Sequence, residues 1–151
     1  MDNIILLIAT VLLWVAALAG LYQRIFLVPK WFKNPPASFD LIRRQSDSIR
    51  SFWVILSALS IVVLSTALYL NWEWVDGRTH IIGAMACYIL TGISGVIYFI
   101  REIIFFSKIP SNASMTPDLL KRVNVWLRWS PVRDFLLIFA AMFMSIAYNH
   151  A

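Results

Sequence analysis

The chain has a single cysteine, Cys87, in 151 residues, which excludes an intrachain disulfide and any thiolate-ligated metal centre. Histidine is nearly as scarce, and with only His80 and His150 there is no Glu-x-x-His pair for a di-iron site. Two histidines suffice in principle to ligate one haem iron. His80 opens a helix and His150 is the penultimate residue, however, so both are expected as solvated side chains at one end of the molecule. No Gly-rich phosphate loop, nucleophile elbow or Ser-His-Asp order occurs. Charge is also sparse: 14% of residues are charged, where a soluble domain carries about 25%.

In place of charge the chain has apolar runs, and its mean hydropathy is +0.74. Four runs, taken as helices over 4–27, 52–71, 81–106 and 131–149, are each near the ~20 residues that cross the hydrocarbon of a bilayer. They leave no room for a second, soluble domain, so residues 1–151 read as one four-helix transmembrane domain. The expected class is an all-α integral membrane protein.

The net charge of +5 is a topology label rather than a nucleic-acid surface. All Lys and Arg except Arg78 fall around the first and third connections, which places those connections in the cytoplasm of an inner (plasma) membrane and both termini outside. The N-terminus, Met1-Asp2-Asn3, carries an acid and no base. A signal peptide cut after Ala17-Leu18-Ala19 is therefore not expected, and the first helix is read as retained.

Each long connection carries an amphipathic segment, read as an interfacial helix over 38–50 and over 117–129. Ser38 and Thr116 are N-cap candidates, and Ser130-Pro131 repeats the start signal before the last span. Trp31 and Trp53 are expected as headgroup-level anchors. Asp76-Gly77 marks the turn of the short outer connection. Asp40-Leu41-Ile42-Arg43-Arg44 is echoed by Asp118-Leu119-Leu120-Lys121-Arg122, and Ile49-Arg50 by Leu127-Arg128 in the same register. Two hairpins of like orientation, forming a parallel internal repeat with a site between the halves, are the expected architecture.

Gly83, Gly92 and Gly95 permit close helix approach, and the stripe Thr91, Gly95, Tyr98 and Glu102 is small and polar enough to face inward. Arg24 ends a similar stripe on the first helix, and Arg133 opens the last at the same depth. Glu102 is accordingly expected to pair with Arg24 or Arg133. The candidate site gathers Arg24, Tyr98, Glu102 and Arg133 as catalytic groups, with Gln23, Arg101, Asn124, Trp126 and Trp129 binding substrate. Arg24 and Arg133 would stabilise an oxyanion, and Tyr98 and Glu102 would serve as acid and base. The competing reading of the same residues is a lattice of interfacial ion pairs and belt tryptophans.

The run FLVPKWF with its following amphipathic helix, and the segment VNVWLRWSPVRDF before the last helix, resemble a four-helix membrane family that includes fungal anthrone oxygenases and many bacterial membrane proteins. The residues that carry the resemblance are Pro29, Trp126, Trp129 and Arg133. Where that family has an Asn-x-x-Arg spacing, this chain has Ser130-Pro131-Val132-Arg133. The resemblance implies oxygenation of a polyphenolic ring by molecular oxygen with no metal or other cofactor. The layout of long inner and short outer connections is also similar to that of the bacterial membrane protoporphyrinogen oxidases, but their histidine in helix one and lysine in helix three are lacking here.

The expected function is thus a membrane enzyme acting on a lipophilic aromatic or quinone-like compound at the cytoplasmic membrane edge. The alternative is a non-enzymatic assembly partner or subunit of a larger complex. Expected partners are the lipid bilayer, a small lipophilic molecule, and a second copy or another membrane protein on the glycine face; nucleic acid is not among them.

Overall fold

The computed structural model describes residues 3–151; Met1-Asp2, on which the reading of the N-terminus rested, lie outside them. Among the described residues there are four long helices and no strand. They are α1 (Asn3–Trp31), α2 (Phe39–Leu70), α3 (Val75–Lys108) and α4 (Pro117–Asn149), each long and apolar enough to cross a membrane. The protein is an all-α, multi-pass membrane bundle. α4 packs along α1 and α3, and α2 along α1 and α3, so the helices form a ring in which α1 lies opposite α3.

The two interfacial segments are not separate helices. Each is the first part of a continuous membrane helix of 32 or 33 residues, about 48 Å long at 1.5 Å per residue, against ~30 Å of hydrocarbon. Between Arg50 and Phe52 nothing interrupts α2, since that stretch has neither Gly nor Pro. In α4 the expected break at Ser130-Pro131 is absorbed by a side chain. Pro131 has no N–H for the carbonyl of Leu127, and the Ser130 hydroxyl donates to that oxygen at 3.2 Å instead. Thr116 does cap α4 as expected, accepting from the Leu119 N–H at 3.2 Å, whereas Ser38 makes no side-chain cap.

The turn of the short second connection also lies earlier than expected. It occupies Asn71–Trp74, and α3 starts at Val75, so Asp76 and Gly77 are helical. Gly77 is there for packing, because a Cβ at that position would collide with the Trp74 ring.

The starts of α2 and α4, Phe39 and Pro117, stand 78 residues apart, in the register of the sequence echo. α1 and α3 each contain one π-helical turn, at Gln23–Leu27 and Gly95–Phe99. Two apolar cores are stacked along the bundle. One holds Leu6, Leu13, Leu64, Ile81, Leu137 and Met144; the other, nearer the basic connections, holds Trp31, Phe39, Ile42, Phe106, Val123 and Trp126.

Trp31 is therefore a core residue, 1% exposed, with its indole N–H donating to Gln45 Oε1 at 2.8 Å; it is not a headgroup anchor. Arg43 fastens this end by donating to the carbonyls of Ser107 and Ile109, both at 2.9 Å. It thereby satisfies one free carbonyl in the last turn of α3 and one just beyond it.

Candidate functional site

Between the two cores lies a layer of polar side chains. The antiparallel register of α1 and α4, marked at the depth of the first core by Thr10 donating to the Met144 carbonyl at 3.3 Å and Trp14 to Ser145 at 2.9 Å, brings Arg24 within this layer to donate to Asp134 at 3.3 Å. Asp134 is 4% exposed and also accepts from Arg133 at 3.4 Å. Two guanidinium groups thus share one buried carboxylate, leaving the cluster one positive charge in excess. Gly20 makes room for that carboxylate, since a Cβ there would stand 3.3 Å from Asp134 Oδ1.

Arg133 spends little of its donor capacity on Asp134. Its guanidinium lies 5.3 Å from the Phe99 ring centroid and 5.8 Å from that of Trp53, within cation–π range. Its Nε is buried and has no hydrogen-bond partner among the described residues. The Trp126 Nε1 is likewise buried and unpartnered. Such orphaned donors are uncommon and unfavourable in an apolar setting.

Both residues border a cleft of about 870 Å³ between α2 and α3, with a floor contributed by α1 and α4. Its walls are apolar along most of their length, including Val54, Ile61, Ile89, Ile93, Val96 and Ile97. Gln23 is also on the floor, held by the Trp53 indole, which donates to Gln23 Oε1 at 3.0 Å. Both π-helical turns border this level, and such turns recur at functional sites because they re-aim side chains.

No match is found among protein-family models, curated proteins or solved structures. The site is read from its own geometry.

Of the residues singled out in the sequence, Gln23, Trp126 and Arg133 meet at the cleft, and Arg24 joins them through Asp134. The others do not. Glu102 pairs with neither Arg24 nor Arg133: it accepts two bonds from Arg122, at 2.7 and 3.0 Å. The reason is register. Phe99 on α3 lies against Trp126 on α4 at 5.8 Å, so one turn outward along the antiparallel pair brings residue 102 to residue 122, while Arg133 lies two turns deeper. Tyr98 packs on Phe99 and, like Glu102, does not line the cleft.

Arg101 is exposed. Trp129 is 54% exposed, and Asn124 borders a separate shallow depression with Lys121 and Arg128. The glycine face divides as well. Gly83 packs on Phe143, where a Cβ would stand 3.3 Å away, whereas a Cβ at Gly92 or Gly95 would meet nothing within 4 Å. Those two glycines border the cleft rather than a helix.

Asp134, an inner-face polar residue of the sequence that was given no role, and Trp53, expected only as a headgroup anchor, complete this cluster. Asp134 carried a signal, an acid beside Arg133 at the start of an apolar run; Trp53 carried none beyond the belt pattern. At the far end the His80 and His150 rings lie parallel with centroids 6.4 Å apart, and His80 Nδ1 is 2.9 Å from the Asp76 carbonyl. Among the described residues no three metal-ligating side chains cluster.

Proposed function

We propose that the protein binds a lipophilic molecule carrying acceptor oxygens, aromatic or quinone-like, in the cleft between α2 and α3, and favours its anionic form. The observation that carries this reading is that Arg133 and Trp126, whose buried Nε and Nε1 have no hydrogen-bond partner among the described residues, both border a cleft with mostly apolar walls. A phenolate or enolate oxygen placed between them would satisfy both donors and balance the extra charge of the Arg24–Asp134–Arg133 cluster.

Stabilisation of such an anion in a site shielded from water makes an electron-rich ring available to molecular oxygen. This is the cofactor-independent oxygenation expected from the resemblance to anthrone oxygenases. Tyr98 and Glu102 have no part in this chemistry, because they lie off the cleft and Glu102 is committed to Arg122. The basic connections orient the polar layer towards the cytoplasmic side of the plasma membrane. A subunit role is the second reading, supported by the lateral opening of the cleft, which a partner helix could occupy.

The test is titration of the protein in mild detergent with a tricyclic phenol of the anthrone type, followed by tryptophan fluorescence and by oxygen uptake. Saturable quenching is expected, weakened about tenfold or more in Arg133→Met, the size of a lost hydrogen bond to a charged group. Trp126→Phe, which keeps an aromatic ring but removes the Nε1 donor, should weaken it severalfold. Unchanged binding in both variants defeats the proposal. Oxygen uptake above the rate of the free phenol separates an enzyme from a binding protein, and co-purification of a partner at fixed stoichiometry favours the second reading.

A further inference from the structure

The cleft is longer than a ring system bound at Arg133 requires, and its two ends differ in chemistry. Its charged members, Asp47, Arg50 and Arg133, lie at or outward of the polar layer. Around the layer the walls are aromatic: Trp31, Trp53, Phe99 and Trp126, surfaces that suit a flat ring. From Trp53 the cleft continues along α2 to Ile61, and from Phe99 along α3 to Tyr88. That is roughly 12 to 16 Å towards the middle of the bundle at 1.5 Å per residue. No Asp, Glu, Lys or Arg lines this deeper part.

Gly92 and Gly95 lie along it with open space where a side chain would be, although an exposed helix position facing lipid is ordinarily filled by a larger apolar residue. A glycine inside a helix is disfavoured by ~1 kcal/mol relative to Ala. Two of them a turn apart, unpacked, keep a channel open instead of joining helices.

We infer that the occupant is a single-tailed lipid with a ring head: the ring's oxygens sit at Arg133 and Trp126, and a linear apolar tail runs inward along Gly92 towards Tyr88 and Ile61. The inference rests on the binding reading above and adds the tail and its direction. Glycines 92 and 95 then select for the tail, and the lateral opening between α2 and α3 admits the molecule from the bilayer without passage through water.

The experiment uses three probes at matched mole fraction in detergent: a benzoquinone bearing only methyl groups, the same head with a ten-carbon chain, and a fatty acid of the same chain length. The variants are Gly92→Leu, at a position with free space, and Arg133→Met. In the wild type the chained quinone should bind at least tenfold more tightly than the methyl one. Gly92→Leu should remove that advantage while leaving the methyl quinone within twofold of wild type, and Arg133→Met should weaken both quinones.

Equal loss for both quinones in Gly92→Leu, or no loss for either, overturns the tail while the head site stands. Unchanged binding in Arg133→Met, or no binding of either quinone to the wild type, overturns the head site and the tail with it. A fatty acid that binds as tightly as the chained quinone overturns the ring assignment. If thermal unfolding shows Gly92→Leu to be misfolded, Gly95→Ala with Gly92→Ala gives the same comparison with smaller additions.

Discussion

Arg122 grips Glu102 with two parallel bonds of 2.7 and 3.0 Å, and its guanidinium also lies 3.7 Å from the Phe105 ring centroid. This clamp joins α3 to the projecting start of α4. Because the Arg122 side chain is 44% exposed, solvent screens the pair, and a coupling of about 1 kcal/mol is expected rather than the several of a buried one. A double-mutant cycle with Glu102→Gln and Arg122→Gln, read by thermal unfolding in detergent, should be non-additive by that amount. Cycles of Glu102→Gln with Arg24→Gln or with Arg133→Gln should be additive; coupling there would contradict the register.

The Ser130 hydroxyl compensates for Pro131, so the two positions should be coupled. Ser130→Ala leaves the Leu127 carbonyl without a donor and should lower stability by about 1 kcal/mol. In a Pro131→Ala background the N–H of residue 131 is restored to that carbonyl, and Ser130→Ala should then have little effect. Equal effects in both backgrounds would mean that the hydroxyl does not play this part.

Gly20 lies where α1 passes the Asp134 carboxylate. A methyl group there would stand 3.3 Å from both Asp134 Oδ1 and Leu137 Cδ1, and Asp134 is pinned by two arginines. Gly20→Ala is therefore expected to destabilise by about 1 kcal/mol or more despite the better helix propensity of alanine. Gly92→Ala, which meets open space, should be neutral or stabilising. A melting comparison of the two variants decides the point.

The proposed orientation is open to direct labelling. In a Cys87→Ala background, Glu73→Cys in the short connection should react with an impermeant thiol reagent applied outside intact cells, and Ser114→Cys should react only after permeabilisation. Both positions are exposed. Gly77 would be a poor probe, because a side chain there displaces Trp74. The opposite labelling pattern would put the polar layer on the other face of the membrane.

What the sequence determined by itself were the features set by local rules: four spans from apolar length, the cap at Thr116, the amphipathic starts of α2 and α4, and the equivalence of Phe39 and Pro117. Helix ends were less legible, because a hydroxyl neighbouring a proline reads locally as a start signal. Only the chain around it shows Ser130 answering the carbonyl that Pro131 leaves free. The site was legible in part: Gln23, Trp126 and Arg133 were recognisable as polar or aromatic residues near one depth. Their separation from Tyr98 and Glu102 was not, since an axial offset of one or two turns between α3 and α4 leaves no trace in either helix alone. That offset is fixed when Phe99 packs on Trp126, and it decides which arginine meets which carboxylate. Likewise glycine has one spelling for two uses. Gly83 fits against Phe143 and Gly92 faces open space, a difference that exists only once the neighbouring helices are in place.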